Sequence, residues 1–202
     1  MELDLQHQSQ CWLGLQEREL HVWFRRLSIG VRSAVDVGAH DGMYTLYFLA
    51  RTPATRVVAI EPDTGCIDIF RRNIALNGLE EDRRLDLLTK FAGDVTESEH
   101  VALDSLIPIL EQPCLVKVDI DGGEVALLRG ARELLGRRDT RWIIEVHSEE
   151  LEAECAKILA DAEYRTTTVP KAWWRSFIPE LRPLEFNRWV VAVRVVGGLQ
   201  KL

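Results

Sequence analysis

Nowhere in the 202 residues is there an apolar run near the 18 or so residues that a helical membrane span needs, so no membrane attachment is expected. The opening Met-Glu-Leu-Asp-Leu-Gln-His also lacks the basic and apolar stretches of a secretory leader, and a cytoplasmic location is expected. An excess of positive charge is missing too. Lys and Arg number 25 against 32 Asp and Glu, a net charge of −7, and the basic pairs, such as Arg71-Arg72 and Arg137-Arg138, mostly have an acid close by. Neutralising a phosphate backbone takes clustered cations, so nucleic acid is not expected as the main partner. Cysteine is sparse, and Cys11, Cys66, Cys114 and Cys155 lie too far apart for a zinc knuckle or a disulfide framework. They read as reduced structural thiols. No low-complexity tract, repeat or long linker divides the chain. What remains is one compact domain over residues 31–202, preceded by a helical extension over residues 1–30.

Within that domain, β-rich apolar runs alternate with segments of helical spacing. The runs are Ser33–Val37, Arg56–Ile60, Leu85–Thr89, Cys114–Val118 and Trp142–Val146, mostly continuous as strands covered on both faces should be. Helices are expected over Tyr44–Arg51, Cys66–Leu76, Glu124–Leu135 and Leu151–Ala162. Alternation of this kind implies right-handed crossovers and a parallel sheet with helices on both faces. The late segments Tyr164–Val169 and Asn187–Val196 have no clear helix between them and read as an antiparallel pair at the sheet edge. That makes seven strands, five of them parallel. In the extension, Leu13, Leu20, Trp23 and Leu27 share a helical stripe, which predicts a docked helix, with a dimer surface or a lid as the alternatives.

Ligands of such sheets bind beyond the carboxyl ends of the strands, beside the first one. The first run ends in Asp36-Val-Gly-Ala-His-Asp-Gly42, where Gly38 permits a sharp turn and close approach of a ligand. The dinucleotide fingerprint G-x-G-x-x-G is absent, and Asp36 favours an ammonium or sulfonium group over a phosphate. Glu61 stands 61 − 42 = 19 residues past Gly42, the distance at which related folds place a carboxylate on a ribose diol. After the third run, Phe91-Ala-Gly-Asp94 offers an apolar wall for a base and an acceptor in Asp94, or a helix cap in the same residue. The fourth run leads into Asp119-Ile-Asp-Gly-Gly-Glu124. Asp119 falls nearest the cofactor side, while Asp121 and Glu124 either cap the next helix or meet substrate. These carboxylates suit a magnesium ion as well as a cap, and no metal site is assigned to them. The fifth run ends in Glu145-Val-His147, where His147 is either a general base or a partner of Glu145 on the same strand face.

The ordered set Val35-Asp-Val-Gly-Ala-His-Asp-Gly-Met-Tyr-Thr-Leu46, Val58-Ala-Ile-Glu-Pro62, Arg71-Arg-Asn-Ile-Ala-Leu-Asn-Gly78, Val101-Ala-Leu-Asp-Ser-Leu106, Val116-Lys-Val-Asp-Ile-Asp-Gly-Gly-Glu124, Leu127-Leu-Arg-Gly-Ala131 and Ile144-Glu-Val-His147 resembles the FkbM family of S-adenosylmethionine-dependent methyltransferases. Asn187-Arg-Trp-Val-Val-Ala192 is similar to the family's last strand. The resemblance implies the Rossmann-like class I methyltransferase fold, with S-adenosyl-L-methionine as cofactor and O-methylation of a hydroxyl on a sugar or secondary-metabolite-type small molecule. It implies that Asp36, Gly38 and Ala39 frame the methionine part, that Glu61 holds the ribose, and that Asp119 lies near the methyl group. Asp94 is carried as an adenine contact, and His147, then Asp119, as the base. His40 stands where the family often has Asn, Gly123 where it often has Ala, and the stretch 79–100 is short. The expected partner is a small methyl acceptor, with a homodimer as the candidate assembly. A methyltransferase-like scaffold without activity and a nucleotide-dependent oxidoreductase are the competing readings.

Overall fold

The computed structural model describes residue 10, residues 13–177 and residues 186–194. Nine strands are found there: β1 (Ser33–Val37), β2 (Arg56–Ile60), β3 (Leu85–Leu88), β4 (Phe91–Gly93), β5 (His100–Ala102), β6 (Cys114–Val118), β7 (Thr140–Val146), β8 (Tyr164–Val169) and β9 (Arg188–Arg194). Seven form one sheet in the order β3-β2-β1-β6-β7-β9-β8. The first five run parallel, and β9 is antiparallel to both of its neighbours. The alternation of the sequence is thus realised, with the chain turning back across the sheet between β1 and β6.

Both faces of the sheet are covered, which explains the unbroken apolar runs. Val35, Val37, Val58, Ile60, Val116 and Val118 enter one buried cluster, and Ala34, Val57, Ala59, Leu115 and Ile143 enter the other. The helices are α1 (His21–Leu27), α2 (Met43–Arg51), α3 (Thr64–Leu76), α4 (Glu124–Arg129), α5 (Arg132–Gly136) and α6 (Glu149–Asp161). Asp63 caps α3 by accepting from Cys66 N, and Ser148 caps α6 by accepting from Leu151 N.

Several details depart from the expectation, among them that β7 starts at Thr140 rather than Trp142. The single helix over 124–135 is two, because Asp104 inserts at the joint: its N–H donates to Gly130 O, while its carboxylate accepts from Glu133 N and Leu134 N. β4 and β5, three residues each, make a separate parallel pair that is too short to leave a periodic signature. The third strand stops at Leu88 rather than Thr89. In the extension, Leu20, Phe24 and Leu27 pack against the core, whereas Leu13 lies in a turn and is 58% exposed. Cys11, Pro179, the far end of the 172–183 loop and the last two residues of the run 187–196 lie outside the described residues.

The extension is tied down at both ends of its described course. Arg175 donates from Nε and Nη2 to the two oxygens of Glu19 and from Nη1 to Gln10 Oε1. Arg141 reaches the carbonyls of Leu27 and Ile29 through Nη1. No helix among the described residues is long and apolar enough to cross a membrane.

Candidate active site

The carboxyl ends of β1, β2, β6 and β7 converge at the place where the strand order reverses. The turn after β1 is fixed by backbone bonds: Gly38 N and Ala39 N both donate to Ile60 O, and Asp119 N donates to Val37 O. Gly38 has a φ of 72°, and a Cβ there would sit 1.8 Å from the carbonyl oxygen of Asp119. Only glycine lets the two loops meet this closely. Ala39 is buried beside it. His40 follows with a φ of 47°, a left-handed conformation in a residue that carries a side chain.

Glu61 sits at the end of β2 with 6% of its surface exposed. Its Oε2 accepts from His40 N at 2.8 Å and its Oε1 from Asp63 N at 2.9 Å. The carboxylate therefore clasps the glycine turn, and each oxygen keeps a second lone pair for a hydroxyl donor. Asp36 is fully buried within β1, not exposed at its tip. Its Oδ2 accepts from Thr45 Oγ1 at 2.7 Å, and Oδ1 lies 3.9 Å from Lys117 Nζ without a hydrogen bond. Burial raises its pKa against the opposing pull of Lys117.

Lys117 is the cation of this layer. Its Nζ lies 3.2 Å from Asp119 Oδ2 and 4.8 Å from the centre of the Tyr44 ring. Burial works against its charge, yet Asp119 and Asp36 hold its pKa above the ordinary lysine value. Tyr44 donates at 2.5 Å to Oε2 of Glu17, so the N-terminal extension contributes a carboxylate to the same layer. Burial pushes the pKa of Glu17 up to about 7. Lys117 was missed from the sequence, although a lysine inside a strand buried on both faces signals counter-charges around it. Glu17 carried no such signal, because nothing local links it to the glycine turn.

At the end of β7 the polar groups gather around His147. Its Nδ1 is 2.9 Å from Oε1 of Glu124, the first residue of α4 and fully buried. Its Nε2 faces three carboxylate oxygens: Asp121 Oδ1 at 3.4 Å, Glu145 Oε1 at 3.7 Å and Asp119 Oδ1 at 3.9 Å. Of the two readings of His147, the pairing with Glu145 is not made as a hydrogen bond, the ring bonding Glu124 instead. Glu145 instead takes Trp189 Nε1 at 3.2 Å on Oε2. Its own burial, then Asp119 and Glu17, push the Glu145 pKa up to about 9. The hydrogen bond to Glu124 raises that of His147.

Asp36, Gly38, Ala39, Glu61, Asp119 and His147 are therefore brought to one end of the sheet. Asp94 is not. It follows β4, and its Cα would lie 2.8 Å from a Cβ on Gly130, at the far end of α4 from Asp119. Residues 91–93 pair with 100–102 in a separate two-stranded sheet.

Residues 83–168 match the family model described as the methyltransferase FkbM domain. The protein methyltransferase sdnD of Sordaria araneosa is 42% identical over 43 residues, which is 21% of this chain and 17% of that protein. Methyltransferase 1 of Beauveria bassiana (strain ARSEF 2860) is 24% identical, covering 69% of this chain and 74% of the relative. In three dimensions, methyltransferase FkbM from Methylobacillus flagellatus KT superposes with a TM-score of 0.63 at 18% identity, over 80% of this chain and 43% of that one. An rRNA methylase from Streptococcus thermophilus gives 0.60 at 12% identity, over 89% and 98% of the two chains. The chain thus spans less than half of the FkbM structure and a still smaller part of sdnD. The order of the motifs, the matched segment and the sheet agree: residues 83–168 are similar to the methyltransferase FkbM domain, and the sheet is the one found in these methyltransferase structures.

Proposed function

We propose that this protein is an S-adenosylmethionine-dependent methyltransferase that methylates a hydroxyl of a sugar or secondary-metabolite-type small molecule. The observation that carries this reading is the clasp of Glu61 on the glycine turn, set directly against the Asp119 loop. A close backbone approach beside a carboxylate with spare lone pairs fits a nucleoside ribose. The acid-rich layer of Asp36, Asp119 and Glu17 suits a sulfonium cation better than a pyrophosphate. When bound, S-adenosylmethionine supplies a methyl group already activated for in-line displacement. In this reading Glu61 holds the ribose, and Gly38 and Ala39 admit the methionine part. Asp36, through Lys117, orients Asp119 from beneath. His147 and Asp119 receive the acceptor hydroxyl and its proton, with Glu124 fixing the imidazole. The net charge of −7 favours a small acceptor over nucleic acid.

Calorimetric titration with S-adenosylhomocysteine tests the cofactor half. Micromolar binding is expected, weakened roughly a hundredfold by Glu61→Ala, since truncating a buried hydrogen-bonded carboxylate costs about 2–5 kcal/mol. A folded wild-type protein that binds no S-adenosyl compound would be a scaffold rather than an enzyme. For the chemical half, His147→Ala slows turnover far more than it weakens cofactor binding. Unchanged turnover would remove His147 from the reaction.

A further inference from the structure

Three side chains from two strand ends each have one atom anchored by a neighbour and another turned toward a common point. Asp119 gives Oδ2 to Lys117 and turns Oδ1 to His147 Nε2 at 3.9 Å. Glu145 gives Oε2 to Trp189 and turns Oε1 to the same nitrogen at 3.7 Å. His147 gives Nδ1 to Glu124 and leaves Nε2 buried without a hydrogen-bond partner. One ligand atom from each of the three lies within 4.8 Å of the other two. Glu145 is 5% exposed, and among the described residues its one donor is Trp189, on the oxygen turned away from His147.

Separations of 3.7 and 3.9 Å are too long for hydrogen bonds. They are the spacing of two atoms that share one cation at about 2.1 Å each, which must lie within roughly 4.2 Å of one another. A hydrogen-bonded carboxylate behind the imidazole is also the arrangement that fixes a metal-ligating histidine, since Nδ1–H bound to Glu124 leaves the Nε2 lone pair facing inward.

We propose that Asp119 Oδ1, Glu145 Oε1 and His147 Nε2 form a divalent-cation site. One imidazole and two carboxylates suit Mn²⁺ or a cation of similar hardness. The inference deepens the methyl-transfer reading and rests on it for its purpose: a hydroxyl entering an open position of the ion becomes more acidic there. His147 then serves as a ligand, and Glu124 is the positioning residue behind it.

The test is titration of the chelator-treated full chain with Mn²⁺, with free Mn²⁺ read by electron paramagnetic resonance and S-adenosylhomocysteine binding measured on the same samples. One Mn²⁺ per chain is expected, bound at least about tenfold more weakly by Glu145→Gln and His147→Ala and unchanged by the exposed control Glu81→Gln. Thermal melting checks that each variant is folded; should one fail, Asp119→Asn replaces it. Absence of stoichiometric binding, or affinity indifferent to these ligands, overturns the site. S-adenosylhomocysteine binding without Mn²⁺ binding overturns the ion alone. Mn²⁺ binding that the ligand variants weaken, without S-adenosylhomocysteine binding, upholds the ion and overturns the methyl-transfer reading.

Discussion

Glu61 and Glu145 are the same residue type at the ends of two parallel strands, 6% and 5% exposed, yet their surroundings differ in kind. Glu61 receives two backbone N–H groups and closes a turn. Glu145 receives one indole N–H and looks out on His147 and Asp119. Two carboxylates buried to the same degree are therefore supplied with different partners. The end of β2 is complete as folded, which suits a site that must bind without rearranging. The end of β7 is incomplete, which suits a site that must exchange a proton or hold an ion.

The two ends are joined through the contact between Gly38 and Asp119, and the largest predicted effect comes from breaking it. In Gly38→Ala the new Cβ would fall 1.8 Å from Asp119 O, at a φ of 72° that alanine disfavours. Left-handed strain of about 1–2 kcal/mol adds to overpacking of about 1–3 kcal/mol. The expected loss is thus roughly 2–5 kcal/mol in urea unfolding, with S-adenosylhomocysteine binding abolished in whatever folds. Near-wild-type stability and binding would show that the loops can part, and that the two strand ends are independent.

The second effect is read by pH at the end of β7. The folded pKa of Glu145, about 9, lies above its ordinary value of 4.5, so the folded state holds the extra proton. Stability from this group is then full below about pH 4.5 and is lost as pH rises toward about 9. Glu17 acts in the same sense, but only up to about pH 7. Between pH 7 and 9, with a chelator present so that no cation contributes, Glu145→Gln should flatten the decline in stability. An undiminished slope in the variant would assign the decline to another group.

Much of this was legible in the sequence, and the exceptions have physical reasons. β1, β2, β6 and β8 fall on the expected residues; β1 runs into Gly38, β6 lies between Pro113 and Asp119, and β8 stops at Pro170, so turn-forming residues mark several of their ends. Gly38 and Glu61 were readable from their spacing, since both are local to strand ends that the fold itself brings together. The partner of His147 was not. Sequence alternation puts Glu145 on its face, but the start of α4 swings Glu124 beneath the ring, and that is a tertiary fact. The broken helix at Gly130 has the same origin, because a carboxylate from another segment, Asp104, supplies the second cap. Asp94 was read as following the third strand directly, whereas the short β4–β5 pair lies between and sets it against Gly130.

The smallest effect sharpens the contrast at its source. Trp189 Nε1 is the hydrogen-bond donor on Glu145, at 3.2 Å, and it favours the charged carboxylate. Trp189→Phe keeps most of the buried ring and removes that donor, which costs the ionised form about 1 kcal/mol of stabilisation. The titration of Glu145 should move upward by less than about one pH unit, seen in the carboxyl resonance of the ¹³C-labelled protein. Turnover of the cation-free protein should change little, because the indole acts on the oxygen turned away from His147. In Glu61 no single side-chain donor can be removed this way, since both partners are main-chain N–H groups. A downward shift on losing the indole would mean that the indole does not favour the charged form of Glu145, and the part given to this donor at the end of β7 would fall.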